Sequence, residues 1–219
     1  DQPAGSATLD FAIGDPPTRG AEILRAQVRV PEGYDPERAY PVLLGLHAAD
    51  QDSAAFIRFL AALLGKSKDD YIITALANLP GAWLSDPPAA ASAPRAWLGA
   101  LGKRYHVDTD RVYLAGYGPG GHAAASLAML HADAFAGVLV LAGTCLPDVG
   151  GEAVELFLGN LRPLPTLIVQ GAGDAGGGES ESKRDEPAQA AARQVAEIAA
   201  WNRYLADRAA RAHLPITVM

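Results

Sequence analysis

Residues Arg111 to His122 read R-V-Y-L-A-G-Y-G-P-G-G-H. A short β-rich run, Val112-Tyr113-Leu114, enters a glycine-dense turn, and an alanine-rich stretch follows. The strand–turn–helix pattern G-x-S-x-G has this layout. It lifts a serine Oγ out of a sharp turn, and the backbone N–H of the next residue helps to hold the oxyanion of an acyl-transfer intermediate. Here the outer glycines are Gly116 and Gly120, and the central position is Gly118. Glycine has no side chain with which to attack. The next residue is Pro119, which has no N–H to donate. The spacing therefore predicts the shape of a nucleophile elbow that lacks its nucleophile and one of its two oxyanion donors.

The same glycines admit a second chemistry. Gly116-x-Gly118-x-x-Gly121 fits the dinucleotide fingerprint, in which a bare helix N-terminus receives a pyrophosphate. That fingerprint also requires an acidic residue about 20 positions on, at the end of the following strand. The corresponding run ends Val140-Leu141-Ala142-Gly143, without an acid. Nucleotide binding is thus the remote alternative, and no cofactor is expected. The five histidines are scattered with no metal-ligand spacing, so no metal is expected either.

Such a turn works only if strands and helices alternate around it, and the chain provides them. The pattern predicts strands at 23–30, 41–47, 71–77, 112–115, 135–142, 166–170 and 216–219. Pro41 to His47 is a near-continuous apolar run, the mark of a strand buried on both faces. Helices are predicted from Ser53 as N-cap, around Trp97, Leu98 and Leu101, over 120–131, and over 187–212 with Val195, Ile198, Trp201 and Leu205 near helical spacing. This order implies an α/β fold, a doubly wound and mainly parallel sheet with helices on both faces. Residues 79–93 and 176–185 read as loops. A single domain over 1–219 is expected, with residues 1–20 as an N-terminal extension and the last strand cut short at the C-terminus.

Composition narrows the partners. The 219 residues are 49% hydrophobic and 20% charged, ordinary for one globular domain. A net charge of −7 argues against nucleic acid or an anionic membrane as a partner. No apolar run reaches the roughly 18 residues of a membrane span. The lone Cys145 follows an apolar strand and reads as a buried, inert thiol. The start Asp-Gln-Pro, without methionine, leans toward a cleaved secreted or periplasmic precursor, a cut chain being the alternative.

From residue 23 to 219 the chain resembles an α/β-hydrolase of the esterase/depolymerase type. Three blocks carry the resemblance: the turn Pro31-Glu32-Gly33-Tyr34-Asp35 before the strand ending at His47, the elbow Arg111 to His122, and the strand L-I-V-Q-G-A-G-D from Leu167 to Asp174. The resemblance implies a serine at position 118, a donor N–H at 119, a His-Gly pair at 47–48, a triad acid at Asp174 and a base histidine beyond the last strand. This chain has Gly118, Pro119 and His47-Ala48, and retains only Asp174. Asp174 is a relic acid in one reading and a turn-capping aspartate in the other. No histidine follows residues 216–219. His213 does not substitute, since a five-residue strand at about 3.3 Å per residue puts it roughly 15 Å from the active edge. His47 is expected to serve as a structural hydrogen-bonding residue, and His106, His122 and His131 as surface or core-edge residues.

Together these readings describe a pseudo-esterase: an α/β-hydrolase-like domain without catalysis, with a ligand-binding, structural or interaction role. Its partner is an unspecified small molecule or protein, and His47, Ala48, Tyr117 and Gly118 line the old cleft. The alternative is a carboxylic-ester hydrolase whose nucleophile is displaced, for example to Ser85 beside Asp86, or whose catalytic parts lie outside this chain.

Overall fold

The computed structural model describes residues 5–13, 22–48, 52–76, 96–143, 158–170 and 215–219, with scattered positions between 200 and 213. Eight strands form one sheet in the order β1-β2-β4-β3-β5-β6-β7-β8. The strands are β1 (Gly5–Ile13), β2 (Glu22–Val30), β3 (Tyr40–Leu46), β4 (Ile72–Leu76), β5 (Val107–Tyr117), β6 (Gly137–Leu141), β7 (Thr166–Val169) and β8 (Ile216–Val218). The pairs β1/β2 and β2/β4 are antiparallel. All pairings from β4 through β3, β5, β6 and β7 to β8 are parallel. The fold is α/β with a mainly parallel sheet, as the alternation of elements predicts.

The two central strands β3 and β4 are buried along their whole length, as their unbroken apolar sequences require. Two apolar layers flank the sheet. Helix α1 (Ser53–Leu64) presses Phe56, Ile57 and Leu60 onto Leu43, Ile73 and Ala115. The helical residues 96–102 (α2) and helix α3 (Pro119–Leu130) cover the other face, where Trp97, Leu101, Ala124 and Leu127 meet Val42, Leu44 and Leu114. The described residues between 200 and 211 are helical. Among the described residues no helix is long and apolar enough to cross a membrane.

Three differences from the sequence reading have physical causes. Residues 5–13, expected as part of an extension, form edge strand β1, paired residue for residue with β2. Strand β5 begins at Val107, five residues before its apolar part. Its polar start pairs Val107 with Tyr40, and the register then shifts between Tyr40 and Val42, where Pro41 lacks an N–H for the ladder. The N-cap of α1 is Asp52, not Ser53: its side chain accepts from the Ala54 N–H at 3.1 Å, while Ser53 is the buried first helical residue.

The turn from Pro31 to Pro36 is fastened by tyrosines. The Tyr34 hydroxyl accepts from the His106 N–H at 2.7 Å, and the Tyr40 hydroxyl from the Asp35 N–H at 3.0 Å. The Tyr34 ring lies 5.1 Å from that of Tyr40 and 5.8 Å from that of Tyr105. This ties the hairpin arm to the start of β5.

Candidate functional site

Side chains alternate along β5. Tyr113 and Ala115 face α1, and Val112 and Leu114 face α3. Gly116 therefore lies under α3, and Tyr117 turns to the α1 side. A Cβ on Gly116 would stand 2.1 Å from the Gly120 carbonyl oxygen, and a Cβ on Gly120 would stand 2.0 Å from the Leu46 carbonyl oxygen. Both glycines are demanded by the helix sitting directly on the ends of β3 and β5. Gly121 is tight to a lesser degree, with Gly116 O and Leu141 O at 3.2 Å from its Cβ position.

Gly118 differs. It is the N-cap of α3, at φ 56° and ψ −123°, a backbone conformation that favours glycine. Yet among the described residues a Cβ there meets nothing nearer than the Ala48 Cβ at 4.0 Å. The turn is braced from both sides: the Gly118 N–H donates to Leu141 O at 2.8 Å, and the His122 N–H donates to Gly118 O at 3.1 Å. Pro119 is the first helical residue, where a missing N–H costs nothing to the helix. It leaves no N–H at the position of the oxyanion donor. The geometry is thus a strained strand-to-helix turn with room for a side chain above it and none present.

His47 and Ala48 follow β3 at the same sheet edge, and both are buried. The His47 Nδ1 lies 2.7 Å from Ala48 O and its Nε2 2.8 Å from Leu76 O. Both ring nitrogens lie against backbone carbonyls, and a neutral imidazole, with its single N–H, donates to one of them. The Nε2 contact links the end of β3 to the end of β4. His106 is exposed, with Nδ1 2.9 Å from Pro36 O, and His131 and His122 are partly buried beside α3. His213 is exposed just before β8, at the opposite end of the sheet from Gly118. Asp174, Ser85, Asp86 and Cys145 lie outside the described residues.

Tyr117 lines a depression of about 390 Å³ together with Asp52, Ala55, Phe56 and Phe59. Tyr117 was singled out in the sequence; Asp52, Phe56 and Phe59 as cleft residues were not. Their one sequence signal is a pair of aromatic residues at i and i+3 on the helix that follows β3, directly after an acidic cap. Among the described residues no cluster of His, Cys, Asp and Glu has the makings of a metal centre.

The carboxylates with strongly shifted titration lie at the other edge of the sheet. Lys68 and then Arg29 hold the Asp69 carboxyl well below the usual carboxylate range, at 2.6 and 2.5 Å. Arg111, 2.6 Å away, lowers the titration of the Asp108 carboxyl. These are ion pairs that fasten strand starts, remote from the elbow.

No protein-family model matches the chain, and no curated protein matches it by sequence. Solved structures do match in three dimensions. A poly(3-hydroxybutyrate) depolymerase from Bordetella parapertussis superposes with a TM-score of 0.68 at 20% identity, over 98% of this chain and 83% of that one. The fluorophosphonate-binding serine hydrolase F of Staphylococcus aureus gives 0.64 at 15% identity, over 100% and 90%. A thermostable esterase gives 0.59 at 17% identity, and this chain spans only 54% of its length. The chain shares the α/β-hydrolase fold with these structures.

Proposed function

We propose that this domain is a hydrolase scaffold that no longer catalyses through its elbow and instead binds a small molecule or a protein at the C-terminal edge of its sheet. One observation carries the reading. The turn keeps its positive φ at Gly118, its two steric glycines and open space above it, while the attacking atom is absent. The missing N–H at Pro119 and the burial of the His47 ring, whose two nitrogens both lie against backbone carbonyls, support the same conclusion.

The solved structures favour a second reading, since the proteins they depict are named as an esterase, a depolymerase and a serine hydrolase. In that reading the chain is a carboxylic-ester hydrolase whose nucleophile stands elsewhere, Ser85 beside Asp86 being the candidate in the sequence. Hydrolysis of short p-nitrophenyl esters separates the two. The non-catalytic reading predicts a rate indistinguishable from buffer. Saturable turnover of about 1 s⁻¹ or more, abolished by Ser85→Ala, would establish the second.

A further inference from the structure

We propose that the depression beside the elbow takes a small aromatic cation, its ring against Phe59 and Tyr117 and its charged group toward Asp52. The proposal rests on the binding reading above and names the chemistry of the ligand.

Three observations lead there. First, Phe59 is 44% and Tyr117 39% exposed, and both line the same depression. Exposed aromatic surface gathered in one concavity marks a binding surface rather than scattered apolar residues. Second, the floor is built in advance. The Phe59 ring stacks on Phe56 at 5.8 Å and 18°, and Phe56 meets the His47 ring edge-on at 6.3 Å. Phe56 sits so close to β3 that a Cβ on Gly45 would come within 2.9 Å of its ring. His47 in turn is held at both nitrogens. A rigid stack of rings therefore runs from the core to the exposed face of Phe59. Third, the charge has one sign. Among the described residues of the lining Asp52 is the charged one, and neither lysine nor arginine joins it. One Asp52 oxygen caps Ala54, and a carboxylate keeps further acceptor capacity after one such bond.

Aromatic faces attract cations through their quadrupole, and the carboxylate adds to that attraction. An aromatic carboxylate would meet repulsion from Asp52 and from a chain of net charge −7. At about 390 Å³ the space is near the small end for ligand sites and suits one ring with its substituent.

The test is calorimetric titration of the full chain with benzyltrimethylammonium, benzyl alcohol and benzoate. The cation should bind at least about tenfold more tightly than benzoate. Phe59→Ala should weaken the cation by about threefold or more. Asp52→Asn keeps a good N-cap and should erase most of the preference for the cation over benzyl alcohol. Circular dichroism melting checks that both variants stay folded. Benzoate binding as tightly as the cation, or affinity unchanged in both variants, would overturn the proposal. Cation binding that drops in Phe59→Ala supports the site even in a protein that hydrolyses esters. Absence of binding in a protein that hydrolyses none overturns the site and leaves the non-catalytic reading intact.

Discussion

The underside and the upper side of the elbow are built under opposite rules. Below, Gly116 and Gly120 are glycine because carbonyl oxygens occupy the space where a Cβ would go, at 2.1 and 2.0 Å. Above, Gly118 is glycine although, among the described residues, the nearest atom to its Cβ position is 4.0 Å away. Packing explains the first two and not the third. The positive φ makes glycine comfortable at 118 but does not demand it. The difference separates two glycines that helix–sheet packing requires from one that it does not.

Substitutions can break this comparison, and the largest effect should come from below. Gly116→Ala or Gly120→Ala forces a methyl group into backbone that cannot yield, and each should cost about 4 kcal/mol or prevent folding. Urea denaturation with expression yield measures this. A near-neutral outcome at either position would mean that α3 does not sit on β3 and β5 as described.

The second effect concerns chemistry. Gly118→Ser adds a hydroxyl, but Pro119 still has no N–H for an oxyanion, and both nitrogens of the buried His47 ring lie against backbone carbonyls. Loss of one donor alone costs roughly 10²–10³ in rate. The variant should therefore stay at least that far below an esterase of about 1 s⁻¹, as read by p-nitrophenyl ester turnover. A rate at the esterase level would reveal a base and an oxyanion hole not identified in this chain.

Gly118→Ala sharpens the contrast at smaller scale. With open space around the Cβ, only backbone conformation opposes it, and the cost should be about 1–2 kcal/mol. A loss equal to that of Gly116→Ala would place Gly118 among the packing glycines and remove the distinction on which this account rests.

The smallest effect is at the far edge of the sheet. Because Lys68 and Arg29 depress the Asp69 titration, its contribution to stability is complete above the unfolded carboxylate value of about 3.9 and fades as pH falls below it. Asp69→Asn should cost roughly 1 kcal/mol or less at neutral pH, since the pair is partly exposed. The gap between the two proteins in urea midpoint should be flat from pH 5 to 7 and narrow below about pH 4. A gap that widens in acid would reverse the assigned sign.

Much of the architecture was legible because its signals are local. The apolar runs of β3 and β4 and the glycine-dense turn after β5 announce themselves in a few residues. Strand β1 was not legible, since an edge strand depends on pairing with β2 and on contacts such as the Asp10–Arg25 ion pair at 3.0 Å. The polar start of β5 was hidden for the same reason: its partner Tyr40 lies far back in the chain. Asp52 and Ser53 are both good caps, and only the direction of the backbone chooses between them. At the site, the absence of a side chain at the centre of the turn could be read from Gly118 directly. Which glycines are sterically required could not, because the crowding atoms belong to α3 and β3. The aromatic depression was equally invisible, as Phe59 and Tyr117 meet only once β3, α1 and β5 are assembled.

The central claim is that the elbow has lost its attacking group and that no other serine replaces it. Intact-mass spectrometry of the wild-type chain after incubation with a fluorophosphonate probe tests this most directly. The account predicts an unchanged mass under conditions that label an active serine hydrolase run in parallel. A stoichiometric adduct, mapped by peptide sequencing to any serine of this chain, would contradict it.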